Sequence, residues 1–127
     1  MIKRVVVAGS REYLNYTEAE KFIDACISEI KNEYELIFIS GGCRGADKLG
    51  ERYAKEHNFK IEYYLAEWDK YGKKAGIIRN EIMAKRGDFV ICFWNGKSKG
   101  TKSMIKYAEE NQKPLRIKKI DIKESTD

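Results

Sequence analysis

Three glycine-bearing segments offer backbone amides that could approach an anion: Gly9-Ser10-Arg11, Gly41-Gly42-Cys43-Arg44-Gly45-Ala46-Asp47 and Asn95-Gly96-Lys97-Ser98-Lys99-Gly100-Thr101. A bare backbone lets N–H groups come close to phosphate oxygens, and a helix that starts at such a loop adds the positive end of its dipole. Each segment alone also reads as an ordinary turn at a strand end. Three of them in one short chain favour a phosphate cradle. None fits Gly-x-Gly-x-x-Gly and none ends in Lys followed by Ser or Thr, which argues against a generic dinucleotide enzyme and a Walker-type NTPase.

The side chains around these loops carry paired readings. Asp47 falls in the first turn of the helix after the second loop. It either complements the helix dipole or accepts hydrogen bonds from ribose hydroxyls, because a carboxylate beside a phosphate would repel it. Arg79, followed by Asn80, is a cation for a phosphate group or a solvated side chain, and Lys73 and Lys74 have the same two readings. Trp68 and Tyr71 can stack on a nucleobase or cover the core beneath their loop. Cys43 sits near a helix N-terminus, where a thiol can be activated, but nothing else points to cysteine chemistry. With a single His57 there is no Ser/His/Asp set. Cys26, Cys43 and Cys92 are odd in number, scattered, and without zinc-ligand spacing, so a reducing compartment is expected, with no metal and no cofactor.

The elements that must hold these residues alternate. Val5-Val6-Val7 ending at Gly9 reads as a strand buried on both faces. Thr17 with Glu20 makes a capping-box pattern, and the spacing predicts a helix from about Glu18 to Asn32. Leu36-Ile37-Phe38-Ile39 is a second buried strand, and a helix follows from Ala46 to Glu56. Ile61, Tyr63 and Leu65 alternate as in a half-exposed edge strand. After an aperiodic stretch from Ala66 to Ala75 comes a helix with Ile78, Ile82 and Met83 inward. Phe89 to Trp94 is a central strand. Gly100 precedes a helix with Met104, Ile105 and Ala108 inward, and Pro114 opens a last strand through Leu115 and Ile117.

This order predicts a single α/β Rossmann-like domain over residues 1–123, with a mostly parallel five-stranded sheet and helices on both faces; 3-2-1-4-5 is the preferred strand order, which the pattern alone does not fix. Glu124 to Asp127 reads as a disordered end. In such a sheet ligands bind beyond the strand carboxyl ends where the winding reverses, here between the first and fourth strands. The chain has 127 residues and a net charge of +5, which favours anionic partners. No Arg/Lys-rich face with interleaved aromatics stands out, which ranks nucleic acid behind a small molecule as partner. No signal or membrane segment is evident, so a cytoplasmic protein with no membrane partner is expected. Self-association into a homo-oligomer is left open.

The ordered motifs resemble the SLOG superfamily, named after the Smf/DprA and LOG proteins, and within it the small YspA/YpsA-related group. Val7-Ala8-Gly9-Ser10-Arg11 is similar to that group's first loop and Gly41 to Asp47 to its second. Trp68, Ala75-Gly76 and Arg79-Asn80-x-x-Met83 are similar to its third motif, and Gly96-x-Ser98-x-Gly100-Thr101 completes the set. The resemblance implies a Rossmann-like fold that binds or senses a nucleotide or nucleotide-derived ligand through Gly9, Ser10, Arg11, Gly41, Gly42, Arg44, Gly45, Asp47, Trp68, Arg79, Asn80, Gly96, Ser98, Gly100 and Thr101. It also raises two alternatives, single-stranded DNA binding in the DprA manner and the nucleotide N-glycosidase activity of the LOG enzymes. The LOG pattern has Lys after the Arg and glutamates just beyond Gly-Thr. Here Asn80 and Lys102-Ser103-Met104 stand at those places. Hydrolysis would therefore have to use Glu81 or Asp47 together with Arg79.

Overall fold

The computed structural model describes residues 1–122, so the end from Glu124 onward lies outside the described residues. Five strands, β1 (Ile2–Gly9), β2 (Glu35–Ser40), β3 (Lys60–Tyr63), β4 (Phe89–Trp94) and β5 (Leu115–Lys119), form one parallel sheet in the order 3-2-1-4-5. The helices are α1 (Tyr16–Ile27), α2 (Ala46–Glu56), α3 (Trp68–Tyr71), α4 (Ala75–Arg86) and α5 (Lys99–Glu110). None is long and apolar enough to cross a membrane.

The unbroken apolar runs of β1 and β4 follow from burial on both faces. Along β1, Val5 and Val7 point into one core with Ile23, Phe38, Tyr53 and Phe93, beneath α1 and α2. Val6 and Ala8 point the other way, to Ile39, Met83, Val90, Cys92 and Met104 beneath α4 and α5. Since β1 lies between β2 and β4, chain winding reverses beside it, and the segment from β3 to β4 has to pass over the carboxyl ends of the strands.

Local readings needed adjustment at five places. Helix α1 is capped by Asn15, whose side chain accepts from the Glu18 N–H at 3.1 Å, and not by Thr17. Both Asn15-x-x-Glu18 and Thr17-x-x-Glu20 fit a capping pattern. Glu18 also accepts at its carboxylate from Tyr13 OH at 2.6 Å, and Tyr13 stacks on Phe93. The same helix ends at Ile27, and a 3-10 turn over Ile30–Asn32 replaces its predicted last turn, letting Ile30 pack on the core. Leu65 lies beyond β3 and is exposed, as is Ile82 on α4, whose inward face is Ala75, Met83 and Ala84. Gly100 belongs to α5 itself, one residue inside its start.

Candidate functional site

A cavity of about 400 Å³ opens at the carboxyl ends of β1 and β4. Its wall takes Gly9 and Arg11 from the first loop, Asp47 from α2, Arg79 and Asn80 from α4, and Ser98, Gly100 and Thr101 from the start of α5. Ala8, Met83 and Met104 supply an apolar floor, and Cys43 joins the rim. Residues distant in sequence meet here because α2 and α5 both begin at strand ends beside the reversal point, while α4 crosses over them.

The start of α5 is rich in donors. Ser98 is its N-cap residue, yet its side chain makes no capping bond and instead accepts from the Thr101 hydroxyl at 3.3 Å. The first intrahelical acceptor, Ser98 C=O, is taken by Lys102 N–H at 3.1 Å. The amides of Lys99, Gly100 and Thr101 precede that bond, as in any helix start. A side chain at Gly100 would meet nothing within 4 Å. No packing constraint demands glycine there.

Two glycines of the second loop have structural work. Gly45, at φ 77°, stands where an added Cβ would lie 2.3 Å from Ser10 O and 2.5 Å from Arg11 C, so it lets the first loop seat on α2. At Gly41 the Cβ would lie 2.7 Å from Arg79 Nη1 and 2.9 Å from Asp47 Oδ2. Its absence admits a cation and an anion to the same turn.

Arg79 is held rather than free. Its Nη1 donates to Gly41 O at 2.8 Å and its Nε to Asn80 Oδ1 at 3.0 Å, while Nη2 lies 3.8 Å from Cys43 Sγ. Asn80 in turn donates to Gly100 O at 3.2 Å, tying α4 to α5 across the cavity. Because Arg79 satisfies a loop carbonyl, Arg79→Ala is expected to cost about 1.5 kcal/mol of stability, the size of a hydrogen bond to a charged group, besides any effect on a ligand. Urea denaturation of the purified variant measures it. A loss no larger than that of the exposed control Lys31→Ala would show that the tie contributes nothing.

Asp47 is buried, 6% exposed, and accepts from Cys43 N–H at 3.1 Å. Burial pushes its carboxyl up to about 6, partly offset by the Cys43 amide and by the Arg79 and Arg11 charges, while Glu51 one turn on adds to the rise. Glu51 is itself buried. It accepts from Ser40 Oγ at 2.6 Å, and Lys48 Nζ lies 3.3 Å away. Ser40 Oγ also accepts from Gly42 N–H at 3.0 Å, so this network fixes the second loop.

Several residues singled out in the sequence lie off the lining. Ser10 is fully buried, its carbonyl accepting from Ala46 N–H at 3.0 Å. Arg44 pairs with Glu12 at 2.7 Å, and Glu81 lies 3.6 Å from Lys85. Gly42, Gly96 and the half-exposed Trp68 stand outside it, and Lys73 and Lys74 are exposed. The apolar floor went unnoticed because Met83 and Met104 look like ordinary core positions on amphipathic helices. The Ser40–Glu51 network had no local signal, since its members are eleven residues apart.

Residues 3–71 match the model of a family described as YAcAr: YspA, cpYpsA-related SLOG family. The Gene 61 protein of Mycobacterium phage D29 is 33% identical over 121 residues, covering 90% of this chain and 94% of that protein. Among solved structures, DNA processing protein A (DprA) from Streptococcus pneumoniae is similar with a TM-score of 0.70 at 20% identity, over 92% of this chain and 50% of its own. TM1055 is similar with a TM-score of 0.63 at 20% identity, over 91% of this chain and 72% of its own. The chain thus spans half the length of DprA, and at such identity both likenesses are of fold.

Proposed function

Since the chain belongs to the YspA, cpYpsA-related SLOG family, we propose that it binds a nucleotide or nucleotide-derived molecule in the cavity between α2, α4 and α5. The observation that carries this reading is Gly100, a glycine that nothing in the packing requires, on the donor-rich first turn of α5 and facing the cavity. A phosphate group fits there, on backbone amides, the Ser98 and Thr101 hydroxyls and the dipole of a twelve-residue helix. Arg79 and Arg11 supply the balancing charge. Asp47, on the opposite wall, is placed to accept from sugar hydroxyls, and Met83 and Met104 offer polarizable surface to a base.

A thermal-shift comparison of nucleoside monophosphates with their nucleosides tests this. At a hundred times its dissociation constant a ligand adds about 2.7 kcal/mol, which for a chain of this length raises Tm by roughly 10 °C. Gly100→Ala is expected to raise the Tm of the free protein by about 2–4 °C, because alanine lowers the entropy of the unfolded chain, and to remove most of the nucleotide shift. If nucleosides stabilise as well as nucleotides, or if Gly100→Ala leaves the shift intact, the phosphate is not held at α5.

One observation favours a second reading, cleavage of the N-glycosidic bond. Asp47 is a carboxyl in the cavity wall that burial pushes up to about 6, towards the range in which a residue can serve as acid or base. Release of free base from AMP, GMP, CMP or UMP, lost in Asp47→Asn, would establish it. Glu81 is a poor candidate because it faces Lys85 outside the cavity.

A further inference from the structure

Among the described residues ten large apolar side chains are exposed, and five of them, Leu65, Trp68, Tyr71, Ile77 and Ile82, fall between positions 65 and 82. Single exposed residues of this kind need no explanation, but a gathered set does. Four of the five meet in one place. Leu65, Tyr71 and Ile82, with the half-buried Ile78, wall a groove of about 100 Å³ between the link after β3 and the outside of α4. Trp68 precedes Tyr71 by three positions on α3, a spacing that sets two helical side chains side by side. Its ring edge lies 3.5 Å from where a Cβ at Gly76 would stand, against the start of α4. Leu65 is 65% exposed and Trp68 53%, and the four side chains together leave on the order of 450 Å² open to water. A standard homodimer interface buries roughly 800 Å² on each copy, about 65% of it apolar, so the patch has the size of one apolar interface core. Charge of both signs borders it. Glu67 and Asp69 stand at the start of α3 and Lys73 and Lys74 just past its end, all of them exposed.

We propose that this face docks a second copy of the chain across a two-fold axis. An isologous contact sets a patch against itself, so it needs apolar surface at its centre and both signs of charge at its border. An axis perpendicular to α3 runs the two copies of that turn in opposite directions, which brings Glu67 and Asp69 of each copy opposite Lys73 and Lys74 of the other. A partner protein of one dominant charge fits less well, because half of this border would repel it. A small ligand fits less well, because the groove is well below the roughly 300 Å³ at which ligand pockets begin. An anionic membrane fits less well too, because Glu67 and Asp69 flank Trp68 and would face it. The contact does not depend on what the cavity binds.

Sedimentation equilibrium of the full chain from about 1 to about 500 μM tests the assignment. The mass is expected to rise from that of one chain toward that of two, with a dissociation constant in the micromolar range that the modest area allows. Leu65→Ser with Ile82→Ser is expected to raise that constant at least about tenfold, because both side chains lie at the centre of the contact. Leu14→Ser, at an exposed position on the first loop, is expected to leave it unchanged. Two further variants keep the apolar surface intact. Glu67→Lys with Asp69→Lys, and separately Lys73→Glu with Lys74→Glu, are each expected to self-associate at least about tenfold more weakly, since like charges then meet across the axis. An equimolar mixture of these two is expected to recover the parent's affinity, because opposite charges face each other again. A chain that stays monomeric at the highest concentration, a dimer that the Leu65 and Ile82 changes leave intact, a mixture that associates no better than its components, or binding to phosphatidylserine vesicles that the same two changes abolish would each overturn the proposal. Since these runs contain no nucleotide, failure here and failure of the cavity reading are distinguishable.

Discussion

Gly45→Ala is expected to destabilise the fold by about 3 kcal/mol or more, lowering Tm by roughly 11 °C. A backbone at φ 77° and ψ −129° alone costs a non-glycine residue about 1–3 kcal/mol. The remainder comes from contact with main chain that cannot rotate away, since the new Cβ would sit 2.3 Å from Ser10 O and 2.5 Å from Arg11 O. Moving the first loop aside would also lose the Ala46 N–H bond to Ser10 O, worth about 1 kcal/mol. Gly72 isolates the two causes. It has φ 59° and nothing within 4 Å of its Cβ position, so Gly72→Ala should lose only the conformational part. Urea melts of both variants make the comparison, and equal losses would show that backbone conformation, not loop seating, sets the requirement at Gly45.

Asp47→Asn is expected to stabilise the protein at pH 8 by on the order of 2–3 kcal/mol, the equivalent of a rise of about two pH units in a buried carboxyl. The carboxyl pKa is raised from 3.8 to about 6 in the folded state, chiefly by burial. The folded protein therefore gains stability from protonated Asp47, in full below 3.8, and loses that gain as the pH rises through about 6. An amide carries no charge at any of these values, and its oxygen can still accept from Cys43 N–H. The advantage of the variant should thus be small at pH 4 and grow to its full size by pH 8, as read from denaturation curves at each pH. A difference that does not change with pH would mean that the ionised carboxylate is not the source of the cost. A charge kept in a buried wall at the expense of stability is what a binding or catalytic role for Asp47 would require.

Gly45 and Asp47 illustrate how far the chain could be read unaided. Glycine at 45 and a carboxylate at 47 mark a loop that runs into a helix, and both were placed there from the sequence. That Gly45 seats a neighbouring loop, while Gly100 faces open space, depends on atoms more than thirty residues away in the chain for the first and on their absence for the second. Sequence alone treated them as equivalent parts of one cradle.

The alternation of apolar runs with 3.6-residue periods, the glycines that end β1 and lead from β2 into α2, and the boundaries of α2 were all determined by local sequence. Hydrophobic burial and turn chemistry act over a few residues, so they leave their mark there. Strand order 3-2-1-4-5 was the preferred topology, but alternation and right-handed crossovers admit other orders, and the tertiary structure decided it. What waited for the tertiary structure were properties of distance and solvent exclusion. Asn15, and not Thr17, caps α1 at a helix start where Tyr13 is stacked on Phe93. Arg79 is pinned to Gly41 across thirty-eight positions, and Glu51 is matched by Ser40. Such pairings come from packing, and packing acts between residues whose separation along the chain carries no signal.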